Sequence, residues 1–183
     1  MEQTIDMLKY SPDDITQSII EKLPIDSILE LKEELNRSAP TNSKEIEKIN
    51  QISLKVENYI NEFKKKVHNG TVQSESLDDF LKNTDAFYIT DDDLELIDES
   101  DYFNISKQVE IEMDVVYLDN NFLGVCNIYG YYQGELFITN MGSDPTGMGI
   151  GTKCIEYLKD KISVTPVDVI DESKNFWRRL GLY

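Results

Sequence analysis

Basic side chains are scarce in this chain of 183 residues: Lys and Arg number 18 against 35 Asp and Glu, a formal net charge of −17. Direct binding to nucleic-acid phosphates or to an anionic membrane surface needs a basic patch, so neither partner is expected. Cationic partners are expected instead: an amine or polyamine substrate, or a basic protein. Histidine occurs once, as His68, with nothing near it to build a triad or a metal site, and it reads as structural or surface. The two cysteines, Cys126 and Cys154, lack metal or disulfide spacing and read as small core residues. No apolar run approaches the roughly 18 residues that a membrane span needs. The opening Met1-Glu2-Gln3-Thr4-Ile5-Asp6 lacks the basic and then apolar regions of a signal peptide. A cytoplasmic protein is the expectation.

What is present suffices for a folded domain. A hydrophobic fraction of 40% and ten tyrosines argue against global disorder. The length suits one core plus a helical appendage, so residues 1–70 are expected to form a helical segment and residues 71–183 the main domain. Ser11-Pro12-Asp13-Asp14 opens a first helix that Pro24 stops, and a second covers Asp26 to Arg37 with Ile28, Leu31 and Leu35 on one face. Asn42 and Glu45 form a capping box for a long helix ending at Val67, before Asn69-Gly70. Its apolar positions Ile46, Ile49, Val56, Ile60, Phe63 and Val67 follow a heptad seam with Ser53 out of place. That seam either folds back on the chain or forms a homodimer through residues 42–68.

Residues 71–101 turn polar and acidic around a short helix at Leu77–Leu81 and a short strand at Ala86–Thr90. Asp91-Asp92-Asp93 lacks the glycine and spacing of a calcium loop and reads as a solvated acidic run, so no metal site is expected. From Gln108, apolar Val109, Ile111 and Met113 alternate with acids, which is the period of a half-buried strand. The strand continues to Leu118, turns at Asp119-Asn120-Asn121 and returns over Phe122–Tyr132. A further strand covers Glu135–Met141, a helix Lys153–Ile162, a strand Val164–Ile170 and a last helix Ser173–Leu180. The order is hairpin, strand, helix, strand, helix after an all-helical N-terminal segment, so the expected class is α+β.

The most pointed motif is Thr146-Gly147-Met148-Gly149-Ile150-Gly151-Thr152, three alternating glycines between a strand and a helix. Missing side chains let backbone approach an anion, and the first N–H groups of a helix together with its dipole favour negative charge. The motif predicts a phosphate-bearing ligand.

Residues 115–182 resemble the GNAT-type N-acetyltransferase superfamily on three stretches: this glycine loop, Asn121-Phe122-Leu123-Gly124-Val125, and Phe176-Trp177-Arg178-Arg179-Leu180-Gly181-Leu182. The resemblance implies a GNAT-like mixed, mostly antiparallel sheet flanked by helices, which splays near its fourth strand with acetyl-CoA as acyl donor in the gap. It implies that the pyrophosphate meets the backbone of Thr146, Gly147, Met148, Gly149, Gly151 and Thr152, and that the pantetheine lies along Asn140, Met141 and Gly142. An amine would attack the thioester after losing a proton to a base. Glu135 and Asp144 are the candidate bases. Trp177 stands where the family places a Tyr acid, and an indole does not titrate near neutrality; Tyr183, Tyr131 and Tyr132 are the candidate replacements. Thr146 stands where the family has Arg or Gln. The expected function is acyl-CoA-dependent N-acyl transfer to an amine. The alternatives are a catalytically silent module that binds a basic protein and, further behind, an acidic decoy for a nucleic-acid-binding protein.

Overall fold

A computed structural model describes residue 20 and residues 22–87 and 107–183. The expected first helix lies outside the described residues apart from its end, and the Asp91-Asp92-Asp93 run lies outside them entirely. The chain forms two compact units, residues 1–66 and 67–183.

In the first unit, α1 (Ile25–Arg37) follows Pro24 and buries Ile28, Leu31 and Leu35, the stripe its spacing predicts. The 27-residue α2 (Ser43–Asn69) begins at the expected box. The Glu45 N–H donates to Asn42 Oδ1 at 3.0 Å, but the Glu45 carboxylate reaches one residue further back, accepting from Thr41 N and Thr41 Oγ1. The Thr41 N–H, as the largest cause, holds that carboxyl below its ordinary value. The heptad reading of α2 needs correcting at its N-terminal end. Ile52, Val56, Ile60, Phe63 and Val67 are buried, whereas Ile46 is 47% and Leu54 60% exposed. A straight helix turns 3.6 residues per turn rather than 3.5, so over several turns the buried stripe drifts off the heptad and onto Ile52.

The second unit takes in the last turn of α2 and a five-stranded sheet ordered β1-β2-β3-β4-β5. Its strands are β1 (Thr71–Gln73), β2 (Gln108–Tyr117), β3 (Asn121–Tyr132), β4 (Leu136–Asp144) and β5 (Val164–Pro166). Neighbours are antiparallel except β4 and β5, which run parallel. The coarse class is therefore α+β with a mixed sheet. β1 was not foreseen, because three residues with one apolar side chain give no period to read. Ser74 then caps α3 (Glu75–Lys82), accepting from the Leu77 N–H, while its hydroxyl donates to the Glu112 carbonyl. Ser76 Oγ accepts from the Glu112 N–H at 2.8 Å. Two serines thus continue, for one residue of β2, the pairing that β1 begins. The strand expected at Ala86–Thr90 is corrected: Thr84–Phe87 is a 3₁₀ turn, with Phe87 edge-on to Phe80, and the rest lies outside the described residues.

The β2–β3 hairpin turns through Leu118, Asp119 and Asn120, all at positive φ. One sheet face is apolar: Val109, Ile111, Met113 and Val115 alternate with Glu110, Glu112 and Asp114 and meet buried Cys126 and Ile128 across the strands. On the same face α4 (Ile150–Lys159) lays down Ile150, Cys154, Ile155 and Leu158. Fully burying each such aliphatic side chain contributes about 1.5–3 kcal/mol. Both cysteines are free and buried as expected, with Cys154 Sγ 4.0 Å from the Met113 carbonyl, and contact with Cys126 plus burial pushes the Cys154 thiol up. After α4 the expected seven-residue strand proves to be three residues long. Pro166 has no N–H to continue a ladder, Asp168 takes φ +52°, and the chain leaves the sheet. The last helix, α5 (Lys174–Arg179), buries Trp177.

Candidate functional site

Two glycines shape β4. Opposite Gly130 the β3–β4 register slips, with Tyr129 facing Asn140 but Gly130 facing Ile138, so Thr139 is an extra residue. A Cβ on Gly130 would lie 2.0 Å from the Phe137 carbonyl oxygen, so the bulge requires glycine there. Burial changes phase across it: Leu136 and Ile138 are buried before the bulge, Met141 and Ser143 half-buried after it.

β5 pairs with β4 only at Leu136, Phe137 and Ile138, with one more bond from the Val167 N–H to the Ile138 carbonyl. From Thr139 to Asp144, β4 has β3 on one edge and no described strand on the other. Such an edge presents alternate N–H and C=O groups outward, ready to pair with another extended chain. Asn140 and Gly142 are exposed on this stretch, and Met141 tucks beneath α4.

The glycine loop closes the open end. A cis Asp144-Pro145 bond brings the chain into the turn, with Pro145 buried. Gly124 admits this passage, since a Cβ there would meet the Asp144 carbonyl oxygen at 2.4 Å and Pro145 Cδ at 2.9 Å. Thr146 Oγ1 donates back to the Ser143 carbonyl at 2.8 Å. Gly147 and Gly149 have φ of +76° and +93°, conformations that L side chains rarely adopt, and a Cβ on Gly147 would meet nothing within 4 Å. Gly151 does a different job: it is helical and buried, and a Cβ there would press on Met141 Cε at 2.9 Å. Met148 is buried beneath the loop, so the loop's outer surface is largely backbone.

Gly149 caps α4 and has no side chain to satisfy the first N–H groups, and the first turn carries no acid. One cation lies close by. Lys153 Nζ donates to the His68 carbonyl at 2.7 Å, at the end of α2, while Val67 Cγ1 stands 3.8 Å from where a Gly149 Cβ would be. Exposed backbone donors, a helix N-terminus, glycines at positive φ and no carboxylate in the helix's first turn together suit a phosphate or pyrophosphate. The cofactor-binding candidates Thr146, Gly147, Met148, Gly149, Gly151 and Thr152 are contiguous here, and Asn140, Met141 and Gly142 lie on the adjoining open edge.

The candidate catalytic residues are not together. Asp144 stands beside the loop, exposed. Glu135 precedes β4 at its other end, nine residues away, roughly 25–30 Å along an extended chain. There its Oε2 accepts from Thr165 Oγ1 at 3.1 Å, and it lines a shallow depression with Lys159, Lys161, Ser163 and Leu182. Tyr183 adjoins Leu182, 57% exposed, its ring near Lys174 and Arg178 at 5.9 and 5.5 Å. Tyr131 and Tyr132 are buried, the first stacked on Phe137 and the second edge-on to Phe80. Trp177 is 5% exposed and packs edge-on to Phe176, with no side chain of titratable chemistry in its place.

Two features escaped the reading of the sequence. The bulge was signalled by Gly130, a lone glycine inside a strand pattern. The charge distribution was there to be counted: residues 145–183 hold six Lys and Arg against five Asp and Glu, leaving 12 against 30 in residues 1–144. The excess negative charge therefore stops where the glycine loop begins. No protein-family model, no curated protein and no solved structure matches the chain.

Proposed function

We propose that this chain is a GNAT-type, acyl-CoA-dependent N-acyltransferase that passes an acetyl group to a cationic amine or to an amino group of a basic protein. The observation that carries this reading is the parting of parallel β4 and β5 after Ile138, with the glycine loop at the open end. The loop backbone from Thr146 to Thr152 would hold the pyrophosphate, and the edge from Asn140 to Gly142 would pair with the pantetheine amides. Bound acetyl-CoA supplies an acyl carbon activated as a thioester. The chain's part would be orientation: the edge from Asn140 to Gly142 would hold the pantetheine so that the thioester meets the acceptor amine, and the acidic strands would draw the ammonium toward it. Asp144 is beside the pyrophosphate end of this arrangement and Glu135 beyond the bulge, so Glu135 is the better placed of the two to take the ammonium's proton.

Calorimetry with acetyl-CoA and with desulfo-CoA tests the reading. Micromolar binding of both is expected, and no binding tighter than millimolar would remove it. A second reading, a catalytically silent module that holds CoA and binds a basic protein, is favoured by buried Trp177 where the resemblance calls for a proton donor. Thiol release over an amine panel separates the two, silence with CoA bound favouring the module. Homodimerisation through α2 has Ile46 and Leu54 as its exposed apolar residues on that helix. An unchanged sedimentation mass for Ile46→Glu/Leu54→Glu would rule it out.

A further inference from the structure

We infer that the open face of the sheet over β2 and β3, around Glu110, Glu112 and Tyr129, docks an extended basic segment of a partner protein. The inference rests on the basic-protein side of the reading above and asks nothing of the glycine loop. On the face turned away from α4, β2 presents Glu110, Glu112 and Asp114, and directly across from them β3 presents Tyr129, Asn127 and Val125. All six are exposed or half-buried. Gly142 of β4 stands next to Asn127 and leaves bare backbone there, since a Cβ on it would meet nothing within 4 Å. Tyr129, 41% exposed, puts an aromatic ring on this surface.

The plain alternative is a sheet face that only meets water. Charge separates the two. Several acids of the helices sit one turn from a base, as Glu33 does with Arg37, Glu62 with Lys65 and Asp79 with Lys82. The β2 acids have a tyrosine, an asparagine and a valine opposite them, and residues 108–152 contain no Lys or Arg. Alternate side chains of a strand repeat about every 7 Å, so carboxylates of one sign stand in a row and repel one another. An extended basic segment laid along β2 relieves that repulsion, because its own alternate side chains repeat at the same spacing. Tyr129 adds a contact that charge alone does not give. Its hydroxyl is hydrogen-bonded to Glu110, so a guanidinium that stacks on the ring also reaches a carboxylate.

Fluorescence anisotropy on the full chain tests the docking. The probe is a labelled peptide that alternates Arg with Ser, compared with a peptide of the same composition whose Arg residues form one block. The alternating peptide should bind, and the blocked one several-fold more weakly. Glu110→Gln/Glu112→Gln should weaken the alternating peptide by roughly threefold to thirtyfold, the span of two exposed ion pairs. Tyr129→Ala leaves the net charge unchanged and should weaken it by roughly threefold to tenfold, with Tyr129→Phe between that variant and the parent. Glu47→Gln/Glu57→Gln removes the same charge from exposed positions of α2 and should stay within twofold of the parent. Equal weakening by the two charge-removing pairs, equal binding of the two peptides, or a Tyr129→Ala variant within twofold of the parent would leave only diffuse attraction to a chain of net charge −17 and overturn the inference. A parent that does not bind the alternating peptide overturns it too and leaves acyl transfer to a small amine as it was. Site-dependent peptide binding by a chain that takes no acetyl-CoA supports the inference and removes the transferase reading alone.

Discussion

The two ends of β4 are built from the same strand and do opposite things. At the Leu136 end β4 is paired on both edges, by Tyr132 of β3 and Val164 of β5, and the Glu135 carboxylate is tied to Thr165 across the parallel pair. At the Asp144 end one edge has no described strand, the following loop has glycines at positive φ, and the helix after it sends Lys153 to the His68 carbonyl. Between them stands the bulge at Thr139. The difference shows how a short sheet leaves part of an edge open to pairing without exposing its apolar part. β5 covers the apolar half, where Leu136 and Ile138 lie, and leaves bare only the half carrying Thr139, Asn140, Gly142 and Ser143.

The largest effect is expected where the two halves join. Gly130→Val puts a branched side chain where even a Cβ would lie 2.0 Å from the Phe137 carbonyl oxygen, so the bulge must open or the strands must separate. Urea unfolding should show a loss of about 3 kcal/mol. A midpoint equal to the parent's would mean that the register slip is not what shapes β4. Next comes the open end. Gly149→Asp adds a carboxylate at a cap with φ +93°, beside the unsatisfied N–H groups of α4. A non-glycine residue in the left-handed region costs about 1–2 kcal/mol, so the protein stays folded. The charge and the added atoms should abolish acetyl-CoA binding, and retained binding would show that the ligand does not use the loop.

These two glycines also mark how far the sequence could be read. Gly149 was legible because three alternating glycines before an apolar helical period have a local cause, a turn feeding a helix N-terminus. The strands β2 and β3 were legible by alternation, α1 by its apolar stripe and α2 by its capping box. The bulge was not, because it is a relation between Gly130 and Thr139, and a single strand's period cannot say which partner residue slips. For the same reason the bond from Lys153 to the His68 carbonyl was invisible, since its acceptor lies 85 positions earlier in the chain. The shortness of β5 was half visible. Pro166 is in the sequence, but a proline ends a ladder only where its missing N–H was needed, and that depends on the edge it occupies.

The smallest effect should appear at the paired end, and it sharpens the contrast between the two. Thr165→Val keeps the shape of the side chain and a β-branched residue in β5, and removes only the hydroxyl that donates to Glu135. Both residues are half-buried, so solvent can replace much of the lost bond, and the cost should be about 1 kcal/mol or less in urea unfolding. Because the pair stands at the far end of β4 from the loop, the acetyl-CoA dissociation constant should stay within twofold of the parent's. Amine transfer separates two roles for the carboxylate. If Glu135 takes the acceptor's proton, Glu135→Gln should lower kcat while Thr165→Val, which leaves the carboxylate in place, lowers it far less. If Glu135 only ties β4 to β5, both variants should leave kcat alone and differ only in stability. A dissociation constant that moves tenfold in Thr165→Val would instead join the two ends energetically, and would show that β5 sets the open edge of β4 from a distance.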